Sequence, residues 1–115
     1  MAAYSLVEAS SGGPAKDPQR AVEELDCEDS QYSHAIIEHG PGRERAGPEE
    51  IADRYADGSG LAADFGRLQR KVTYNTGEEA EIVFRDGRGW NVAILQLENG
   101  DLGWRLTTVT RCGGA

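Results

Sequence analysis

The sequence predicts an α+β domain in which a four-stranded antiparallel meander, preceded by one shorter strand, is packed on one face by two or three short helices. Three observations predict it. Residues 67–112 alternate apolar and polar side chains in four runs, the period-two pattern of strands. The runs are separated by Asn75-Thr76-Gly77, Arg85-Asp86-Gly87 and Glu98-Asn99-Gly100, each a candidate three-residue hairpin loop with Gly in the left-handed position. Two helix openings stand ahead of them, at Asp17-Pro18 and Pro48-Glu49-Glu50.

Residues 1–16 have linker composition and read as an N-terminal tether; residues 17–115 read as one domain. Asp17 caps a short helix whose apolar face is Ala21, Val22 and Leu25. Gln31 to Glu38 predicts the shorter strand, and residues 39–47 a loop. Pro48 to Tyr55 is the clearest helix, with Glu49 and Glu50 at the positive end of its dipole and Asp57-Gly58 as its stop. Another helical turn covers Leu61 to Phe65.

Three-residue loops set a register. They place Ile82 opposite Trp90, align Val72, Ala80, Val92 and Leu106 in one row, and join Ile94 to Trp104. The expected apolar face is Leu68, Val72, Ala80, Ile82, Phe84, Trp90, Val92, Ile94, Trp104 and Leu106. The expected polar face carries Lys71, Thr73, Glu79, Glu81, Asn91, Arg105 and Thr107, with Lys71 opposite Glu81.

Net charge is −8 over 115 residues, and the acids are concentrated in the front half. That balance argues against nucleic acid and anionic lipid as partners, since both require a basic face. No stretch has the length and apolarity of a membrane span, so direct membrane insertion is not expected. Ten Arg against two Lys, with abundant Ala and Gly, is the composition of a GC-rich bacterial genome.

Cys27 and Cys112 bracket nearly the whole predicted domain. A disulfide between them would close a loop of about 86 residues and stabilise by about 4–5 kcal/mol on the chain-entropy model. Such bonds persist outside the cytosol. Met1 to Val7 reads as neither a signal peptide nor a span, so the expected export goes with a segment beyond this chain; the alternative is two free thiols in the cytoplasm.

No catalytic centre is expected. The two histidines, His34 and His39, are five apart; on one strand they would point to opposite faces, whereas a loop at His39 could bring them together. Asp26, Glu28 and Asp29 lack the order of a calcium loop, and no cysteine–histidine cluster has metal-ligand spacing, so neither a metal nor another cofactor is expected. Gly58-Ser59-Gly60 and Gly87-Arg88-Gly89 lie in turns rather than in a phosphate cradle. Trp90 and Trp104 are expected in the core; with Tyr55 they are the residues that would line a pocket if one exists.

The order helix, strand, helix and four-strand meander resembles the later part of cystatin-like folds, including nuclear-transport-factor-2-like domains. The closing run Gly103-Trp104-Arg105-Leu106-Thr107-Thr108-Val109-Thr110-Arg111-Cys112 is similar to the last strand of small uncharacterised exported or lipoprotein-type domains from actinobacteria. The resemblance implies topology over about residues 18–112 and carries over no functional residue. Enzymes among the nuclear-transport-factor-2-like proteins use Asp/His pairs in a cone built by a longer helical front half than this chain has.

These readings converge on a non-catalytic accessory or binding domain outside the cytoplasm, with a protein partner. Its expected working surface is the loop carrying Arg43, Glu44 and Arg45. Two alternatives stand beside it. One is a small-molecule-binding or enzymatic nuclear-transport-factor-2-like domain around Tyr55, Trp90 and Trp104. The other is an acidic inhibitor or immunity-type protein that masks a basic partner.

Overall fold

The computed structural model describes residues 23–28, 31–38 and 42–113. The predicted tether and most of the first predicted helix lie outside them. Five strands form one antiparallel sheet: β1 (Tyr32–Ile36), β2 (Gln69–Asn75), β3 (Glu79–Arg85), β4 (Asn91–Gly100) and β5 (Gly103–Cys112). Their order is β1-β5-β4-β3-β2, so the last four make the meander and β1 is added beside β5. Helices α1 (Pro48–Gly58) and α2 (Leu61–Phe65) connect β1 to β2.

The helices form where the local chemistry favours them. Pro48 sits in the first turn of α1, where its missing N–H costs nothing, and Glu49 and Glu50 meet the positive dipole end. Gly60, at φ 83°, makes the left-handed step into α2. Ile51, Ala52, Ala56 and Leu61 bury one helical stripe against Ile82, Phe84, Leu95, Leu97, Leu106 and Val109 of the sheet. Fully burying each of the larger side chains stabilises by about 1.5–3 kcal/mol.

The strands are where the sequence places them, but the expected register is corrected at all three turns. Across the first, Lys71 stands opposite Val83 and Val72 opposite Ile82, in place of Glu81 and Ala80, because the loop closes with the Thr76 N–H on the Glu79 carbonyl. Gly77 is left-handed at φ 91°, as predicted, and its N–H donates to the Asn75 side chain at 2.8 Å. The second turn runs from Asp86 to Trp90, and Gly89 rather than Gly87 takes positive φ, at 83°. Asp86 decides this. Its N–H donates to the Trp90 carbonyl at 3.0 Å, and its Oδ1 accepts the Arg88 and Trp90 amides at 2.9 and 3.2 Å. Such local side-chain bonds outcompete the shorter loop.

The third turn moves three residues on, to Asp101-Leu102 between Gly100 and Gly103. Asn99 stays in the ladder because its N–H donates to the Glu78 carbonyl and its side chain to the Gly77 carbonyl. The observed pairs are therefore Val72–Ile82, Ile82–Leu95, Leu95–Val109 and Leu97–Leu106, in place of the expected rows. Ile94 turns to the opposite face, where it is buried with Val83 against Leu25. That face is thus not simply polar: its central row runs Lys71, Val83, Ile94, Thr110, His34 across all five strands.

A direct check follows from the second turn. Gly89→Val should destabilise by more than about 1 kcal/mol, because a β-branched residue fits positive φ poorly. Gly87→Val, at ordinary φ with open space around it, should change stability by less than about 0.5 kcal/mol. Paired urea titrations of the two variants measure the difference; equal losses would restore the shorter loop.

Candidate functional site

The loop between β1 and α1 is fastened to the β4–β5 hairpin. Glu44 donates its N–H to the Leu102 carbonyl at 2.7 Å, and the Arg105 guanidinium donates to the Gly42 carbonyl. The Glu44 carboxylate then folds back on its own loop. Oε2 accepts the Arg45 and Ala46 amides, both at 3.0 Å, and Oε1 accepts Arg54 at 2.9 Å. The hydrogen bond from Arg54, followed by the Ala46 amide, holds this carboxyl at about 2, well below the ordinary carboxylate range. Of the three residues expected to meet a partner, Glu44 is thus a fastener of the fold. Arg43 and Arg45, on either side of it, are exposed.

A second concentration of charge lies at the other end of the sheet. Arg88 donates from Nε and Nη2 to Oδ2 of Asp86 at 3.0 and 2.7 Å, and from Nη1 to Glu28 at 3.4 Å. Its guanidinium stacks 3.7 Å from the centre of the Trp90 ring. The Arg88 bond lowers the Asp86 carboxyl below its usual range. Beside this group opens a recess of about 300 Å³ lined by Asp26, Glu28, Phe65, Arg88, Val92 and Cys112. At its wall Arg88 pairs with Glu28 and the Asp26 carboxylate accepts the Asn91 amide, which makes them a clamp between the Asp86–Trp90 turn and residues 23–28.

The same end holds the disulfide. Cys27 and Cys112 are bonded across a sequence separation of 85, with Cα atoms 5.2 Å apart. Three hydrogen bonds join the segment to Asn91: the Asp26 N–H to the Asn91 carbonyl at 2.8 Å, the Asn91 N–H to Asp26 at 2.9 Å, and the Asn91 side chain to the Glu24 carbonyl at 3.0 Å.

Tyr55, Trp90 and Trp104 are each partly buried against the main core. They do not converge. Trp90 precedes β4, whereas Trp104 pairs with Asn99 near its far end. At the rise of a strand their backbone positions are about 30 Å apart along the sheet, so the two residues do not share the wall of one small cavity.

On the face away from α1, Glu81 is buried and accepts the Thr73 hydroxyl at 2.6 Å. Burial, with the Glu81 and Glu79 charges behind it, pushes the Tyr74 phenol up to about 12. Glu79, Gln96, Glu98, Thr107 and Tyr74 line a recess of about 20 Å³, which admits a water and no metabolite. His34 contacts the Thr110 hydroxyl at 2.6 Å, and His39 lies outside the described residues. Among the described residues no three His, Cys, Asp or Glu side chains group as metal ligands, and no helix is long and apolar enough to cross a membrane.

No family model, no curated protein and no solved structure matches the chain. The roles of Asp86 and Arg88 were not expected from the sequence. The signal was present in the spacing: an Asp two residues before an Arg and four before a Trp, in a Gly-punctuated turn.

Proposed function

We propose that the chain is a non-catalytic binding domain working outside the cytoplasm, and that it presents Arg43 and Arg45 to a protein partner. The observation that carries this reading is the fastening of the loop through Glu44, Leu102 and Arg54, which leaves the two exposed arginines on a pre-ordered segment. A side chain on an ordered loop loses less freedom on binding than one on a loose loop. The disulfide supports the oxidising location.

The test begins with a pull-down from the native organism to obtain the partner. Replacing Arg43 and Arg45 together by Ala should then weaken binding by about tenfold or more, the loss expected when recognition charges are removed. The melting temperature should stay within about 2 °C, since both side chains are solvent-facing. Unchanged affinity would sink the assignment.

A second reading is favoured by the outer surface of α1, where Glu49, Glu50, Asp53 and Asp57 are all exposed. In that reading the chain is an acidic inhibitor or immunity-type protein that masks a basic partner. Binding would then fall steeply with salt, and Glu50→Lys with Asp57→Lys would weaken it where the arginine variant does not.

A further inference from the structure

On the face of the sheet away from α1, Oε1 of Glu79 and Nε2 of Gln96 are buried without a hydrogen-bond partner in the chain. Gln96 as a whole is only 8% exposed. Its Oε1 accepts the Thr108 hydroxyl at 3.1 Å, and Thr108 stands opposite it on β5. With Oε1 held toward β5, the planar amide turns Nε2 the other way, toward β3, the strand that carries Glu79. A buried donor and a buried acceptor left dry each forfeit the hydrogen bond they make to water in the unfolded chain.

Register brings the two groups to one place. β3 and β4 pair as Glu79–Glu98 and Glu81–Gln96, which makes Glu79 and Gln96 diagonal neighbours on one face. With Tyr74, Glu98 and Thr107 they line the recess of about 20 Å³. A water molecule needs roughly 10–15 Å³ and two to four polar partners, so the recess has room for one.

We propose that this recess is a binding site for a single structural water molecule, which accepts from Nε2 of Gln96 and donates to Oε1 of Glu79. The chemistry of the walls selects it. A metal cation is opposed by the Nε2 protons, and an anion by the Glu79 and Glu98 carboxylates. An ammonium ion only donates, so it leaves Nε2 unsatisfied. A neutral molecule with both a lone pair and a proton serves the two groups at once, and the volume restricts it to water. Held there, the molecule ties β3 to β4 beside the register shift between Gln96 and Leu97, where the ladder from β4 to β5 is interrupted. The inference is independent of the proposed function.

The test uses the full oxidised chain, crystallised without calcium and at a resolution that shows ordered solvent. One solvent peak should lie about 2.7–3.2 Å from both Gln96 Nε2 and Glu79 Oε1. In solution the two Nε2 protons should give NOE and ROE contacts of opposite sign to the water resonance, the mark of bound rather than passing solvent. Gln96→Met keeps the reach of the side chain and removes the donor, and in its crystal the peak should be lost. Should that variant fail to fold, the two measurements on the parent still decide. A recess without a peak overturns the proposal, as does a direct bond between Glu79 and Gln96. NOE and ROE contacts of equal sign overturn it too, and so does a peak that persists unchanged in Gln96→Met. A peak at about 2.3–2.6 Å from its oxygen neighbours that appears only on adding calcium would make this a cation site instead, and equally overturn it.

Discussion

Replacing Cys27 and Cys112 together by Ser is expected to lower stability by about 4–5 kcal/mol, the chain-entropy value for a closed loop of this length. A domain of this size has a total stability of about 5–15 kcal/mol, so the loss takes a third or more of it. The bond joins residues 23–28 to the last residue of β5, and in doing so spans almost the entire sheet. Without it the segment keeps its three hydrogen bonds to Asn91, each contributing about 0.5–1.5 kcal/mol net. Those bonds hold only locally and do nothing to restrict the unfolded chain. The double variant should therefore unfold at much lower urea than the oxidised parent, with the slope of the transition steeper because its unfolded state is more extended. Intact mass after thiol blocking should show no modifiable thiol in the oxidised parent. Two freely alkylated thiols, or a loss below about 1 kcal/mol, would remove the disulfide as a support of the fold. It would also remove the main reason for placing the protein in an oxidising compartment.

Much of the architecture was legible because it depends on local signals. Leu61–Phe65 and the start of α1 at Pro48 follow from capping and spacing, and the runs that became β1 to β5 follow from alternation. The cysteine pair was legible from its bracketing position. Register was not, because it is decided by contacts that no local window contains. Asp86 lengthens one turn with its carboxylate, and Asn99 is drawn out of another by the Glu78 and Gly77 carbonyls. Breaks in register between Val72 and Tyr74, Phe84 and Arg85, and Gln96 and Leu97 then change which residues share a face. Ile94 shows the cost: a side chain expected under the helices is buried on the far side instead. Within the candidate site the exposed loop was legible from its Gly and Pro punctuation. The part played by Glu44 was not, since its partners Arg54 and Leu102 lie 10 and 58 positions further along the chain.

Gly103→Ala should be the most damaging single-atom addition in the hairpin, at about 2–4 kcal/mol. Two costs combine. Gly103 sits at φ 102°, where any L side chain is strained by about 1–3 kcal/mol. A Cβ there would also stand 3.2 Å from the Glu44 carbonyl carbon and closer still to its oxygen, so the backbone of one loop would have to leave the other. Gly100, its partner across the turn, has ordinary φ and open space, and Gly100→Ala should change stability by less than about 0.5 kcal/mol. Stability alone would not show that the loop has moved, but the Glu44 carboxyl does. In the parent it is held at about 2 by Arg54 and by the Ala46 and Arg45 amides. Because this folded value is depressed, its contribution is present above the unfolded value of about 4.5 and is lost as pH falls toward 2. If Gly103→Ala pushes residues 42–46 off the hairpin, those donors disperse and the Glu44 titration should move up toward 4.5, as followed by carbon-detected NMR. The acid-side loss of stability between those two pH values should shrink with it. A variant that loses stability while Glu44 still titrates near 2 would confine the damage to the turn. Arg43 and Arg45 would then still be held in place, and the fastening of their loop would owe nothing to Gly103.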